Sequence, residues 1–265
     1  MVGIITSLQN PTIRNVVKLR DNRTRQRERK IVVDGAAEIH RALDAGLDLE
    51  MIFVPDDAND ESEKLCQRGG DRVIRVNDMV LRKISFGQHH RGCVATFRQP
   101  DATLANLTLS ATPLVMVLDE IEKPGNVGAV FRSADAVGAD AVVICEGVCD
   151  SYNPSVIRSS LGTVFTMPTA QANRRETMAW LRANDLVVIT ARVDAAERFW
   201  DVDYRRGIAV VIGSESSGLG DDWRSTAVPS IDVNIPMRGS ADSLNASVSA
   251  ALIMFEAARQ RSGDG

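Results

Sequence analysis

Four runs constrain this chain more than any other feature: PLVMVLDEI, DAVVICEG, LVVITARV and GIAVVIG, starting at positions 113, 140, 186 and 207, are apolar at nearly every central position. A strand with one face in water alternates apolar and polar side chains, whereas a strand buried on both faces does not need to. Uninterrupted runs of this kind predict a parallel sheet covered by helices on both faces, an α/β fold. In such sheets ligands collect beyond the carboxyl ends of the strands. Three polar loops rich in small residues follow β-rich runs there: EKPGNVGAVFRSADAVG from 122, GSESSGLG from 213 and IPMRGSADSLNASVSAAL from 235.

The 265 residues, 44% hydrophobic, suffice for one large domain or two smaller ones. Residues 1–100 read as a smaller α/β unit. It has strands over 30–35, 49–55, 72–77 and 93–100, a helix over 36–46 closed by Gly46, and a short helix around 78–85. Residues 101–112 carry few large apolar side chains before Pro113 and are expected to be a linker. Residues 113–265 form the second domain. Beyond the strands above, the pattern predicts a helix over 126–137 and a helix near 153–162. A short strand over 163–168 and an amphipathic helix over 174–185 follow. A short helix near 221–227, a strand over 231–236 and a final helix over 244–261 complete it.

No apolar run approaches the roughly 18 residues a membrane span needs, and the N-terminus lacks the blocks of a signal peptide, so a cytoplasmic protein with no membrane partner is expected. Cys66, Cys93, Cys145 and Cys149 form no CxxC pair, and His89 and His90 have no cysteine partner run, so no metal site is expected. The net charge of −4 hides an uneven distribution. Residues 14–30 contain eight basic and two acidic side chains. Among them Arg20, Arg23, Arg25, Arg27, Arg29 and Lys30 are candidates for a cationic patch that meets a nucleic-acid phosphate backbone. The competing reading is an ordinary solvated face, since no aromatic residue interleaves to stack on bases.

In the first loop, Pro124 and Gly125 form a turn and open a helix whose free N–H groups favour negative charge. The spacing is GxxG, without the GxGxxG of a dinucleotide fold or the lysine of a phosphate loop. Gly128 and Arg132 share a face of that helix, so Arg132 either reaches a ligand or forms a surface ion pair. Glu215 is the one carboxylate of the second loop, and caps the next helix if it does nothing else. In the third loop Ser243 and Asn245 open a helix of small residues, where each could also be an ordinary cap.

Together, NVGAVFRSA, IGSESSGLG and IPMRGSADSLNASVSAA resemble the three signature motifs of the SpoU (TrmH-like) RNA ribose 2′-O-methyltransferases, within the SPOUT class. The stretch VIRSSLGTVFTMP resembles the family's fourth recurring segment. Residues 1–100, with ITSLQNPTIRNVVKLR and KIVVDGAAEIHRAL, resemble the ribosomal-protein-like substrate-binding domain that many members carry. Two departures fall in that half: Asp34 stands where relatives commonly have glutamate, and 88–92 (QHHRG) replaces a glutamine-glycine ending.

The resemblance implies a C-terminal trefoil knot, an exception to the rule that chains do not thread, and a homodimer with sites near its interface. It implies S-adenosyl-L-methionine as methyl donor, held against Gly213, Glu215, Gly218, Ile235, Met237 and Leu244. It further implies that Asn126, Arg132, Glu215, Ser243 and Asn245 are the polar active-site positions. Arginine is permanently protonated, so Arg132 is expected to stabilise the developing 2′-alkoxide electrostatically. The substrate expected is rRNA, with tRNA second. The alternative is an RNA-binding or ribosome-assembly protein of the same fold that has lost catalysis, and a base methyltransferase of the same superfamily is a further rival.

Overall fold

A computed structural model describes residues 4–57, 59–86, 91–147, 149–224 and 229–263. They group into two compact units, one of residues 1–100 with 152–166, the other of 101–151 with 167–265.

The first unit runs α1 (Pro11–Lys18), α2 (Asn22–Glu28), β1 (Lys30–Asp34), α3 (Ala36–Asp44), β2 (Leu49–Pro55), α4 (Asp60–Gly69), β3 (Val73–Val76), α5 (Asp78–Ile84) and β4 (Val94–Arg98). Its sheet has the order β1-β4-β2-β3, with only β2 and β3 parallel. Ile13, Val16, Val32, Phe53, Leu81 and Val94 form one side of its core. Helix α4 has few apolar residues to announce it. Asn59 and Ser62 start it with a reciprocal capping box, each side chain accepting the other's backbone N–H.

The second unit contains β5 (Leu114–Asp119), α6 (Pro124–Val137) and β6 (Ala141–Cys145). The chain then contributes α7 (Pro154–Ser159) to the first unit, where it packs on β1. It continues through β7 (Thr169–Ala172), α8 (Arg174–Ala183), β8 (Val187–Ala191), β9 (Glu197–Arg198), β10 (Ile208–Ile212), β11 (Ser230–Asn234) and α9 (Ala246–Arg261). All seven strands are parallel, in the order β7-β6-β5-β10-β8-β11-β9. Every residue of β5, β6 and β10 is buried, as the apolar character of all but the terminal Asp119 of β5 requires. Val115, Val117, Val143, Cys145 and Val211 share a cluster with Leu181 of α8 and Trp223. Strand residues of the other parity therefore face the opposite layer, where α6 and α9 pack together over the sheet.

Two expected segments fold differently. Residues 163–168 are not a strand: Thr163–Phe165 form a 3-10 turn after Gly162, which has φ +80°, and β7 begins only past Pro168. The Thr163 hydroxyl bonds the Ser160 carbonyl at 2.9 Å, a local bond that competes with strand pairing. Of the segment expected as a linker, Leu104, Leu107 and Leu109 pack against the core cluster of the second unit, and Gln171 N–H donates to the Ala102 carbonyl at 3.0 Å.

Asp119 ends β5 almost wholly buried, at 1% exposure. Its carboxylate accepts the indole N–H of Trp223 at 2.7 Å and pairs with Arg174 at 3.1 Å, tying α8 and the turn Asp221–Arg224 to the strand end. Asp119→Ala leaves the Trp223 indole without its acceptor and Arg174 without the most buried of its carboxylate partners, and is expected to cost roughly 3 kcal/mol in urea unfolding. Trp223→Phe removes one donor only and should cost about 1–3 kcal/mol.

Candidate active site

The three loops leave the carboxyl edge of the parallel sheet. After β5, Glu120 takes a left-handed conformation (φ +55°) and reverses the chain toward Lys123, the N-cap residue of α6. Pro124 begins the helix, where its missing N–H costs nothing, and Asn126 lies in the first turn. After β10 the second loop folds back sharply, with Gly218 N–H donating to the Ser214 carbonyl at 2.9 Å. A Cβ on Gly213 would run into the Gly218 carbonyl and into Leu219 Cγ at 2.8 Å, so only glycine fits that crossing. Glu215 stands at the tip. The third loop ends at Asn245, whose Oδ1 caps α9 by accepting Ser247 N–H at 3.0 Å and the Ser247 hydroxyl at 2.6 Å.

All three loops meet at one carboxylate. Glu215 accepts hydrogen bonds from Lys123 Nζ, from Asn126 Nδ2 and, at 3.0 Å, from Asn245 Nδ2. The Asn245 amide also donates to Asn126 Oδ1 at 3.2 Å, closing the ring. The bond from Lys123, reinforced by that from Asn126, outweighs desolvation and holds the Glu215 carboxyl below the usual carboxylate range. Glu215 therefore remains an ionised acceptor engaged by the first and third loops.

Two cavities flank this carboxylate. One of about 330 Å³ is lined by Ile121, Lys123, Asn126, Ser214, Glu215 and Ser216. The other, about 410 Å³, is walled by Ile212, Gly213, Gly218, Leu219, Ser243 and Leu244 along with Glu215. A smaller hollow of about 70 Å³ shares Ser243 and Leu244 with it and adds Ile235 and Met237. The larger cavity lies in the roughly 300–1,000 Å³ range of small-molecule sites. Its walls combine apolar side chains and glycine backbone with serines and the charged side chains of Arg192, Asp194, Glu215 and Asp242. That chemistry fits a small ligand with both apolar and polar parts, such as S-adenosylmethionine.

Of the residues expected at the site, Asn126, Glu215 and Asn245 are in mutual contact, and Gly213, Gly218, Ile235, Met237, Leu244 and Ser243 line the cavities. Ser243 is exposed, and the N-cap role belongs to Asn245. Arg132 is different. It lies six residues beyond Asn126 on α6, about 9 Å of helical rise. It is exposed, lines none of these cavities, and has no hydrogen bond or ion pair among the described residues. Within its own chain, then, Arg132 is not assembled with the other polar residues.

Two residues of the site had no sequence signal strong enough to single them out. Lys123 precedes the Pro-Gly turn, where it reads as an ordinary exposed lysine. Arg192 follows β8 and lines the larger cavity with its side chain only 7% exposed. Its guanidinium donates to the carbonyls of Leu219 and Gly220 at 2.8 and 2.7 Å, pinning the far end of the second loop.

The cationic patch of the first unit is smaller than its sequence suggests. Arg25 is buried, at 1% exposure, and its guanidinium donates to the carbonyls of Leu19 and Arg20 at 2.9 and 2.8 Å, so its role is to hold the turn between α1 and α2. Lys30 pairs with Glu50 at 2.8 Å and Arg27 with Glu28 at 3.0 Å. Arg20 spends its guanidinium on the Lys83 and Ser85 carbonyls. Arg23 and Arg29 are exposed. Asp34 is buried and accepts Phe86 N–H at 2.7 Å, its carboxyl pushed up by burial. Gln88, His89 and His90 lie outside the described residues.

Among the described residues, no three or more His, Cys, Asp or Glu are grouped to hold a metal ion, and no helix is long and apolar enough to cross a membrane.

Residues 113–255 match the SpoU rRNA Methylase family, and residues 10–95 match the MRM3-like substrate binding domain. The 23S rRNA (guanosine-2′-O-)-methyltransferase RlmB of Ralstonia nicotianae is 34% identical over 205 residues, covering 75% of this chain and 81% of the relative. A solved RNA 2′-O ribose methyltransferase is 39% identical with a TM-score of 0.85, covering 98% of this chain and 99% of its own. The SpoU methyltransferase AviRb from Streptomyces viridochromogenes, solved in complex with AdoMet, is 26% identical with a TM-score of 0.88, covering 96% and 99%. With its three loops closed on one carboxylate beside a glycine-walled cavity, and with a family match over most of its second unit, this chain belongs to the SpoU rRNA methylase family.

Proposed function

We propose that the chain transfers a methyl group from S-adenosylmethionine to a ribose 2′-hydroxyl of ribosomal RNA, in the cytoplasm. The observation that carries this reading is the closed set Asn126–Glu215–Asn245, whose carboxylate lines both cavities. A protein that only bound RNA would have no use for a cavity of small-molecule size beside that carboxylate. Ribosomal RNA is preferred over transfer RNA because the family and the RlmB relative are named for it.

S-adenosylmethionine supplies a methyl group already activated on a positive sulfur. The chain's own residues must hold that group and prepare the nucleophile. Gly213, Gly218, Ile235, Met237 and Leu244 form the walls that would hold the donor and keep water out. The ribose 2′-hydroxyl would lose its proton as it accepted the methyl group. A fixed cation at the oxygen stabilises the charge that develops there. Arg132 is assigned this role, Asn126 that of orienting the ribose, and the exposed Ser243 hydroxyl that of binding the target phosphate.

Arg132 has no partner within its own chain among the described residues, which supports a homodimer that delivers it to the partner's site. Helix α9 supplies the surface for such a contact. Its small residues Ala246 and Ala250 turn inward, in the layer shared with α6, while Val248, Leu252 and Phe255 stay 45%, 39% and 52% exposed at positions i, i+4 and i+7. A stripe of that spacing forms one continuous apolar face. We also carry over the family's trefoil crossing to the segment after β10.

Two outcomes are expected. Arg132→Ala should lower kcat for methyl transfer to rRNA by roughly 100- to 1,000-fold, with donor affinity by calorimetry unchanged. Full activity in that variant would remove Arg132 from the mechanism. Phe255→Asp with Leu252→Asp should shift the protein from dimer to monomer in sedimentation and abolish activity, whereas an unchanged sedimentation coefficient would move the interface elsewhere.

A further inference from the structure

Helix α8 covers the sheet face opposite α6 and α9, and beside it lies an open groove of about 880 Å³. Five charged residues line it, and they fall into two sets. Arg174 is committed to the protein: it bonds Asp119 at 3.1 Å, Glu120 at 3.0 Å and Asp222 at 3.3 Å. The two acidic residues of the groove are engaged with that same residue, Asp222 through the arginine's side chain and Glu146 through its backbone N–H at 2.7 Å. The remaining charges, Arg175 and Arg182, are exposed, and their guanidinium groups have no hydrogen bond or ion pair among the described residues. Seven residues apart, they stand on one face of α8, two turns from each other, with Met178 between them.

The setting makes that pair unusual. Residues 113–265 carry 14 basic against 20 acidic side chains, so an uncompensated cationic stripe is not a sample of the local average. Two arginines whose backbone positions stand about 10 Å apart along a helix axis match charge repeated along a polymer better than one compact anion. An apolar floor between them suits the face of a base or ribose. The groove also communicates with the proposed active-site edge. Arg174 fastens it to Asp119 and Glu120, the residues that lead from β5 toward Lys123, and Asp222 follows the second loop directly.

We propose that the α8 groove is a second contact for the RNA substrate. Arg175 and Arg182 hold phosphates of nucleotides flanking the target, and Met178 supports a base or sugar between them. The proposal rests on the reading of the chain as an RNA methyltransferase and adds an RNA surface within the second unit, distinct from the donor cavity.

The test uses the full-length protein and an in vitro transcribed 23S rRNA as probe, with affinity measured over a series of salt concentrations for wild type and for Arg175→Gln with Arg182→Gln. Loss of two phosphate contacts should weaken binding at least ten-fold at low salt and reduce the slope of log affinity against log salt by about 1.4. In methylation assays KM for the RNA should rise while kcat at saturating RNA holds. A Met178→Ala variant should weaken binding without changing the salt slope, which separates stacking from charge. Equal affinity and equal slope in the double variant, with wild type methylating the RNA, would overturn the groove and leave the enzyme reading standing, the stripe then serving a protein partner or a small anion. Absence of both methylation and S-adenosylmethionine binding in wild type would instead defeat the enzyme reading on which the groove depends.

Discussion

One carboxylate fixes the geometry of everything near the cavity. Three loops that leave the same sheet edge have no regular hydrogen-bonding pattern among themselves, and conformational entropy favours their separation. Glu215 counters this by accepting from Lys123 and Asn126 of the first loop and Asn245 of the third while standing on the second. Bonds to an ionised acceptor are worth more than neutral ones, and the lowered carboxyl pKa keeps the acceptor ionised at neutral pH. A neutral side chain of the same size could satisfy at most part of this set.

The sheet explains why the loops are close enough to be joined. β10 inserts between β5 and β8, and β11 lies outside β8, so consecutive crossovers leave adjacent strand ends at one edge. The two sides of that edge are stabilised differently. On the α6 and α9 side the packing is apolar, through residues such as Val127, Phe131, Ala250 and Ile253. On the α8 side, buried Asp119 gathers Trp223 and Arg174, and Arg192 pins Leu219 and Gly220. The polar ties thus cluster where the backbone is least regular, and the apolar ones where it is most regular.

The parallel sheet was legible because β5, β6 and β10 are apolar at every position except the terminal Asp119 of β5, so no alternation suggests a wet face. The three loops were legible because each combines glycine with polar residues directly after such a strand. Other features depend on contacts that no local pattern encodes. Counting charges over residues 14–30 treats Arg25 as a solvated cation, although its guanidinium serves two carbonyls within the core. Lys123 gains meaning only when the second loop brings Glu215 to it. Helix α4 hides because its apolar face is reduced to Leu65 and Cys66, leaving the capping box as its one clear sign. The return of residues 152–166 to the first unit reverses chain order, which sequence reading follows by default.

The most direct test of the central role of Glu215 is amide hydrogen exchange across residues 120–128, 213–220 and 240–248 in wild type and in Glu215→Ala. If this carboxylate joins the loops, removing it should lower protection in all three segments together, while β5, β6 and β10 keep theirs. Faster exchange confined to residues 213–220 would contradict the account, because the other two loops would then be held by something else.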